Sequence, residues 1–98
     1  MLNPDCWIPA VLAERARQDA KWRGGPGDCS HPETPNRQRL AVLMEEVGEV
    51  ARAILDDHPA ELRAELVQVA AVCAAWLEGL HHHDADGSPS VEATNDHR

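Results

Sequence analysis

Between Leu66 and Leu77 the sequence reads LVQVAAVCAAWL, in which eleven of the twelve residues are apolar and Gln68 is the exception. An apolar run of this length without glycine or proline is typical of a helix, and a helix that is apolar on every side must be covered on every side. Two other helices of one short chain cannot cover it completely. We therefore expect it to pack across an interface between two copies of the chain, in a homodimer or a higher oligomer.

Two more helical stretches precede this one, and helix-breaking residues separate all three. The first is predicted from Pro9 to Trp22, before the glycine-rich segment 24–27. The second is predicted to open with Thr34 as N-cap and Pro35 as first helical residue and to reach about Leu55. Its predicted core stripe is Leu40, Leu43, Val47, Val50 and Ile54. A tight corner at 56–59 leads into the third helix, predicted to end near Leu80. The fold expected is all-α, a small bundle of three main helices.

Length and composition limit the domain organisation. A chain of 98 residues holds one domain at most, and so small a core is marginally stable without help from a second subunit. We expect a helical domain over 1–83. The remainder, 84–98, is rich in Asp, Gly and Ser, and we expect it to be a disordered polar tail.

The net charge of −8 argues against a binder of nucleic acid polymers, because such proteins neutralise phosphates with a basic surface. Six of the nine basic residues nevertheless fall between residues 15 and 39, so the charge is segregated along the chain. No stretch is long and apolar enough to span a membrane, and no signal peptide is evident, which predicts a cytoplasmic protein. The three cysteines form no C-x-x-C pair and are expected to be unpaired thiols.

Three glutamates crowd one arc of the second helix. At about 100° per residue, Glu45, Glu46 and Glu49 lie beside the core stripe, on a face that also carries apolar residues. Crowded carboxylates that lose hydration are costly unless a cation lies among them, and Mg²⁺ prefers such oxygen ligands. The alternative for this motif alone is a solvated face paired with arginines such as Arg52.

The third helix carries a second polar stripe, which contains Glu61, Glu65 and Gln68. The tight corner makes the second and third helices antiparallel, so this stripe is expected to lie alongside the glutamates of the second helix. Both stripes can then face a single cavity.

These residues carry a family resemblance. Residues 43–50 read LMEEVGEV and residues 65–69 read ELVQV, which together resemble the E-E-x-x-E then E-x-x-D signature of the MazG-like, all-α nucleoside triphosphate pyrophosphohydrolases. Upstream, residues 17–22 read RQDAKW and resemble the Trp-containing first helix of short bacterial and phage members. The resemblance covers roughly residues 14 to 80 and implies Mg²⁺-dependent cleavage of a nucleoside triphosphate between its α and β phosphates. The products would be a monophosphate and pyrophosphate, often as house-cleaning of the nucleotide pool.

The resemblance also implies roles for single residues. Glu46, Glu49 and Glu65 would be magnesium ligands, Glu45 would orient or deprotonate a metal-bound water, and Gln68 occupies the position of the signature's Asp. A carboxamide can contact a metal but brings no negative charge, so Gln68 is expected to weaken ion binding. One alternative is therefore a catalytically weak or inactive relative that binds nucleotides as a sensor.

Basic and aromatic residues around the first loop are the candidate substrate-binding groups. Trp22 could stack on a base while Lys21 and Arg23 reach phosphates, and Arg37 and Arg39 begin a helix whose N-terminus favours anions. The alternatives are a core-edge tryptophan and solvated arginines. Trp7 and Trp76 are expected to lie in the core or in an interface. Segment 24–27 is expected to be a flexible lid. No physiological role is expected for the three histidines at 81–83. A further alternative is a helical interaction protein whose acidic residues only keep it soluble.

Overall fold

Three α-helices form the secondary structure of the described part of the chain. The computed structural model describes residues 6–25 and 27–85, with side chains as far as residue 82. Helix α1 spans Ile8–Trp22, α2 spans Asn36–Leu55 and α3 spans Pro59–Ala85. These residues include no strand, so the prediction of an all-α bundle is confirmed. None of the helices found in these two ranges has the length and apolar character needed to cross a membrane.

Helix α3 is the centre of the bundle. Both α1 and α2 pack against it, whereas α1 and α2 make no close backbone contact with each other within the described residues. The two outer helices therefore leave a cleft between them, and α3 forms its floor. A cluster of Cys29, Val72 and Ala75, supported by Val42 and Leu43, packs beside this cleft.

The predicted helix boundaries are close to those of the structure, with two differences. The N-cap residue of α2 is Pro35 rather than Thr34, because the Thr34 hydroxyl donates to the backbone carbonyl of Asp28 at 2.8 Å instead of capping the helix. Helix α3 continues to Ala85, beyond the predicted end near Leu80, since residues 81–85 include no glycine or proline. The predicted tail over 84–98 thus begins within a helix, and its residues 86–98 lie outside the described part of the chain.

The corner between α2 and α3 is as short as the sequence predicts. Residues 56–58 connect the helices, and Asp57 adopts a positive φ of 57°, a left-handed conformation that aspartate tolerates better than most residues. The backbone N–H of His58 donates to the carbonyl of Ala53 at 3.0 Å and closes the end of α2. This corner sets α2 and α3 antiparallel.

The predicted core stripe of α2 is wrong in part for the single chain: Leu43 packs against the core cluster and Val50 is half-buried, but the other three residues are not covered. Leu40, Val47 and Ile54 are exposed, while the buried residues of α2 are Arg39 and Ala53. The helix is rotated so that Arg39 and Ala53 are buried and Val42 and Leu43 pack against the core cluster, and the small side chain of Ala53 permits a close approach of α2 to its neighbour. A row of exposed apolar side chains is left on the opposite side of α2.

Arg39 is buried because a glycine of α3 makes room for it. Its guanidinium donates to the carbonyls of Cys29 at 2.9 Å and His31 at 2.7 Å and to Oδ1 of Asn36 at 2.9 Å. A Cβ atom at Gly79 would collide with Nη2 of Arg39 and would come within 2.8 Å of the Cys29 carbonyl oxygen. Arg39 and Gly79 therefore attach the loop after α1 to both α2 and α3.

Trp76 and Trp7, which are both predicted to lie in the core or in an interface, differ in environment. Trp76 is half-buried and its indole N–H donates to Oδ1 of Asn36 at 2.9 Å, which joins α3 to the start of α2. Trp7 is 65% exposed and is thus no core residue of the single chain. It lines an apolar groove of about 530 Å³ with Leu62 and Leu66.

Candidate functional site

The cleft between α1 and α2 holds a cavity of about 400 Å³. Helix α1, the loop that follows it, α2 and α3 all contribute to its lining. The lining residues are Glu14, Arg15, Arg17, Gln18, Lys21, Trp22, Gly27, Asp28, Cys29, Val42, Glu45, Glu46, Gln68, Val72 and Ala75. Five predicted site residues from three different helices thus meet at one place in the described structure: Lys21, Trp22, Glu45, Glu46 and Gln68.

The α2 wall of the cavity is acidic. Glu45 is exposed and Glu46 is half-buried, and both line the cavity. Burial raises the pKa of Glu46 above its ordinary value, and the negative charges of Glu65 and Glu45, a hydrogen bond with Glu65 and the charge of Glu49 raise it further. Glu46 is therefore harder to ionise than an ordinary glutamate.

The same interactions show how far the predicted acidic cluster forms. Glu65 of α3 lies within hydrogen-bonding reach of Glu46, and Glu49 lies close enough to affect its pKa. Neither Glu49 nor Glu65 lines the cavity itself, whereas Gln68 does, one turn of α3 beyond Glu65. The antiparallel corner thus brings the glutamates of both helices together, as the stripes predict.

The cluster is not arranged as a preformed metal site. Among the side chains of residues 6–25 and 27–82, no three His, Cys, Asp or Glu groups converge so that they could hold a metal ion. Glu46 and Glu65 instead lie within hydrogen-bonding reach of each other, and this proximity helps to raise the pKa of Glu46. The cluster nevertheless consists of carboxylates and one carboxamide, whose oxygen atoms are ligands of the type that hard cations prefer.

The α1 wall of the cavity is basic. Arg15, Arg17 and Lys21 all line it. The buried guanidinium of Arg15 donates to both carboxylate oxygens of Glu78, at 2.8 and 3.1 Å, and to Asp19 at 3.0 Å. These bonds raise the pKa of Arg15, although burial acts against them, and the two bonds to Glu78 join α1 to α3.

Lys21 and Trp22 lie together at one end of this wall. The Nζ of Lys21 lies 4.9 Å from the centroid of the Trp22 ring, within the range of a cation–π interaction. The indole rests against Gly27, where an added Cβ would come within 2.8 Å of the ring. Because Gly27 has no side chain, Trp22 lies flat on the loop and remains 41% exposed.

The loop between α1 and α2 is organised by Asp28. Its carboxylate accepts hydrogen bonds from the backbone N–H of Gly24 at 2.8 Å and from the N–H and hydroxyl of Ser30 at 3.0 and 2.6 Å. Burial alone would raise the pKa of Asp28, but the bonds from Ser30 and Gly24 outweigh it and lower the pKa. The loop is fixed to the end of α1 by these bonds, and the flexible lid stays a prediction without support from them.

The three predicted arginines of the site lie in different surroundings. Arg23 follows the end of α1 and Arg37 lies in the first turn of α2, and both are exposed and do not line the cavity. Arg39 is only 2% exposed and its guanidinium faces the carbonyls of the loop. These bonds give Arg39 a structural task and provide no support for its predicted contact with substrate.

Sequence reasoning missed most of the α1 wall. Glu14, Gln18 and Lys21 are spaced four and three residues apart, which places them on one face of a helix. That periodicity is visible in the sequence, but an amphipathic surface helix shows the same pattern on its solvated face. Asp28 carries no comparable signal, because its partners are mostly backbone groups of a loop.

In comparisons with known proteins, the chain matches no family model, no curated protein and no solved structure.

Proposed function

We propose that this protein is a magnesium-dependent nucleoside triphosphate pyrophosphohydrolase that cleaves the α–β phosphate bond and acts in house-cleaning of the nucleotide pool. The observation that carries the proposal is the polarity of the cavity. Its α2 wall presents Glu45 and Glu46, and its α1 wall presents cationic side chains together with Trp22. A nucleotide with its metal ion has matching parts: a cation for the acidic wall, phosphate oxygens for the basic wall and a base for the indole.

The unfavourable environment of the clustered glutamates supports Mg²⁺ as the proposed cofactor. The raised pKa of Glu46 reflects burial and three neighbouring carboxylates, an environment that is costly for negative charge. A divalent cation would relieve this cost by neutralising the negative charge of the neighbouring carboxylates. Glu46, Glu49 and Glu65 would hold the ion, with Gln68 as a neutral oxygen ligand. When bound, Mg²⁺ would neutralise phosphate charge and lower the pKa of a water molecule.

The proposed reaction is a hydrolysis and needs no other reactant. Water adds to one of the two phosphorus atoms, the bond from that phosphorus to the bridging oxygen breaks, and the bridging oxygen leaves with the other product. Glu45, which is exposed in the cavity, orients the water and accepts a proton from it. Catalysis of this type depends mainly on positioning and charge neutralisation, which a few carboxylates can provide.

The substrate would lie along the α1 wall. Trp22 offers part of its ring to a base, and Lys21, which lies over that ring, can move on its flexible stem towards a phosphate. Arg23 and Arg37 lie outside the cavity lining, so they would contact only parts of a substrate that extend beyond it. The substrate class proposed is therefore a nucleoside triphosphate, and the cavity residues select for the polyphosphate more strongly than for a particular base.

We further propose that the active form is a homodimer. The side of α2 that faces away from the cavity exposes Leu40, Met44, Val47 and Ile54. These residues are separated by four, three and seven positions, which places them in one apolar stripe along the helix. On α3, Leu66 and Leu77 are exposed on an apolar helix that one chain covers only in part. A second copy would bury both surfaces in a bundle of antiparallel helix pairs.

The proposal is tested by measuring hydrolysis of a panel of nucleoside triphosphates with Mg²⁺ in wild-type protein and two matched variants. Glu49→Gln removes a proposed metal ligand and should abolish turnover. Glu33→Gln removes the same charge from an exposed loop position and should leave turnover unchanged. Equal activity of both variants, or no activity of the wild type with any triphosphate, would refute the assignment.

Gln68 permits a second test of the same site. Gln68→Asp adds a carboxylate to the cavity lining beside Glu65, so we expect tighter Mg²⁺ binding and at least equal turnover. A fall in both would show that the carboxamide serves another purpose. Binding of nucleotide and metal by the wild type without any hydrolysis would favour the sensor alternative instead.

A further inference from the structure

Two charged residues of the α1 wall, Glu14 and Arg17, have not been given individual roles so far. Both line the cavity, and they form an ion pair with each other one turn apart on α1. Of the other cations on this wall, Arg15 is engaged by Glu78 and Asp19, and Lys21 lies over Trp22. Arg17 is the most exposed partner of an ion pair on α1, with 67% of its side chain accessible.

The pair is unusual because its carboxylate is the buried partner. The Glu14 side chain is only 7% exposed, whereas ion pairs on a helix surface usually have two solvated ends. Burying a carboxylate is costly unless a cation compensates it, and Arg17 is the cation that does so. Since Glu14 is held within the wall, it restricts where the long side chain of Arg17 can place its guanidinium.

A guanidinium can serve a carboxylate and a phosphate at the same time. It has five N–H donors, and the bond from Nη2 to Glu14 uses one of them. The remaining donors are available at the exposed edge of the cavity, across from the acidic α2 wall. Lys21 lies four residues further along and therefore one turn away on the same side of α1.

We infer that Arg17, oriented by the buried Glu14, binds the polyphosphate of the substrate, with Lys21 as the next cation along the wall. Arg17 is a substrate-binding residue in this assignment and Glu14 is a positioning residue. The inference rests on the proposed function, because it takes the cavity as the nucleotide site. It deepens that function by assigning recognition of the phosphate chain to a pair on α1 rather than to the arginines that begin α2.

The proposed role of Glu14 predicts an effect on anion binding that is opposite to the effect expected from net charge alone. Glu14→Gln removes a negative charge from the wall, so a role limited to net charge would strengthen the binding of an anion. If Glu14 positions Arg17, the same variant must weaken it, because the guanidinium loses its fixed orientation. Arg17→Gln should weaken it too, and Arg17→Lys should restore it only in part, since an ammonium lacks the planar fork.

The experiment is a calorimetric titration of the full chain with inorganic tripolyphosphate in the presence of Mg²⁺. Tripolyphosphate carries no base or sugar, so it reports on phosphate recognition alone. We expect the affinity to fall about tenfold in both Arg17→Gln and Glu14→Gln, as for the loss of one charge-assisted hydrogen bond. Arg63→Gln, which removes a positive charge from an exposed position on α3 away from this cavity, should bind like the wild type.

Several results would overturn the inference. These are an unchanged affinity in Arg17→Gln, an unchanged or higher affinity in Glu14→Gln, or no tripolyphosphate binding by a wild type that still hydrolyses nucleotides. Arg17 is exposed, so its variants test the inference even if loss of the buried Glu14 carboxylate unfolds the chain. The proposed function is judged separately: the expected binding pattern without nucleotide hydrolysis would uphold this inference and refute the pyrophosphohydrolase assignment.

Discussion

The packing of Arg39 against Gly79 makes the most quantitative prediction of the fold. Two glycines lie within helices, Gly48 in α2 and Gly79 in α3, and alanine at each would add a methyl group to a helical backbone. A Cβ at Gly48 would meet no atom within 4 Å. At Gly79 it would collide with the guanidinium of Arg39 and come within 2.8 Å of the Cys29 carbonyl oxygen.

The two substitutions should therefore have effects of opposite sign. Replacing a helical glycine by alanine gains about 1 kcal/mol from helix propensity at either position. At Gly79 this gain is opposed by about 1–3 kcal/mol for overpacking. Displacing Arg39 leaves at least one buried carbonyl without its donor, which costs about 1–3 kcal/mol more. We expect Gly48→Ala to raise the free energy of unfolding by about 1 kcal/mol and Gly79→Ala to lower it by about 1–5 kcal/mol.

Urea denaturation followed by circular dichroism measures both free energies under the same conditions. If the chain is a dimer, all variants are compared at one protein concentration, because the apparent stability then depends on it. An equal gain in stability from both substitutions would refute the packing of Arg39 on Gly79. Gly79→Ala combined with Arg39→Met offers a check, since removal of the guanidinium should make the added methyl group less harmful.

Three further predictions concern pH, the loop and assembly. In metal-free buffer Glu46→Gln should stabilise the protein at neutral pH. Because the pKa of Glu46 is raised on folding, the protonated side chain contributes to stability below the ordinary value of 4.5, and this contribution is lost as pH rises through the folded pKa. A difference in melting temperature between variant and wild type that is the same at every pH would contradict this. Asp28→Asn should lower the free energy of unfolding by about 1–3 kcal/mol at neutral pH. Thermal melts over the acidic range should show that this loss becomes smaller as pH falls through the lowered pKa of Asp28. Val47→Lys should convert a dimer to a monomer in sedimentation without unfolding it, because Val47 is exposed in the single chain, and an unaffected dimer would place the interface elsewhere.

The helices could be predicted from the sequence because their signals are local. The apolar run 66–77, the proline and glycine breakers and the corner 56–58 depend on neighbours along the chain, and the structure confirms them to within a few residues. The antiparallel approach of the glutamates on α2 and α3 follows from the corner in the same way.

The orientation of α2 could not be predicted, because two of its faces were compatible with burial. Hydrophobicity favoured the stripe with Leu40 and Val47, but the face that packs on α3 contains Arg39 and Ala53. Arg39 can be buried only because Gly79, forty positions further along the chain, leaves space for it and the loop carbonyls accept its N–H groups. Such a three-part contact joins distant segments, and periodicity within one helix does not reveal it.

For the same reason, the sequence predicts the α2 wall of the candidate site better than its α1 wall. Carboxylates clustered at helical spacing on an apolar face are conspicuous, so the α2 wall was found. The α1 wall depends on a buried glutamate, Glu14, whose burial is a tertiary property, and on a cavity that exists because α1 and α2 do not touch. The burial of Arg39 against the loop could not be predicted either, because a sequence cannot show which arginine donates to backbone carbonyls.

The most direct test of the proposed activity is the identity of the products. Wild-type protein incubated with Mg²⁺ and a panel of nucleoside triphosphates, with products separated by chromatography, should release pyrophosphate and a nucleoside monophosphate in equal amounts. The activity should disappear in Glu49→Gln. Release of inorganic phosphate with a nucleoside diphosphate, or no turnover of any triphosphate, would contradict the assignment.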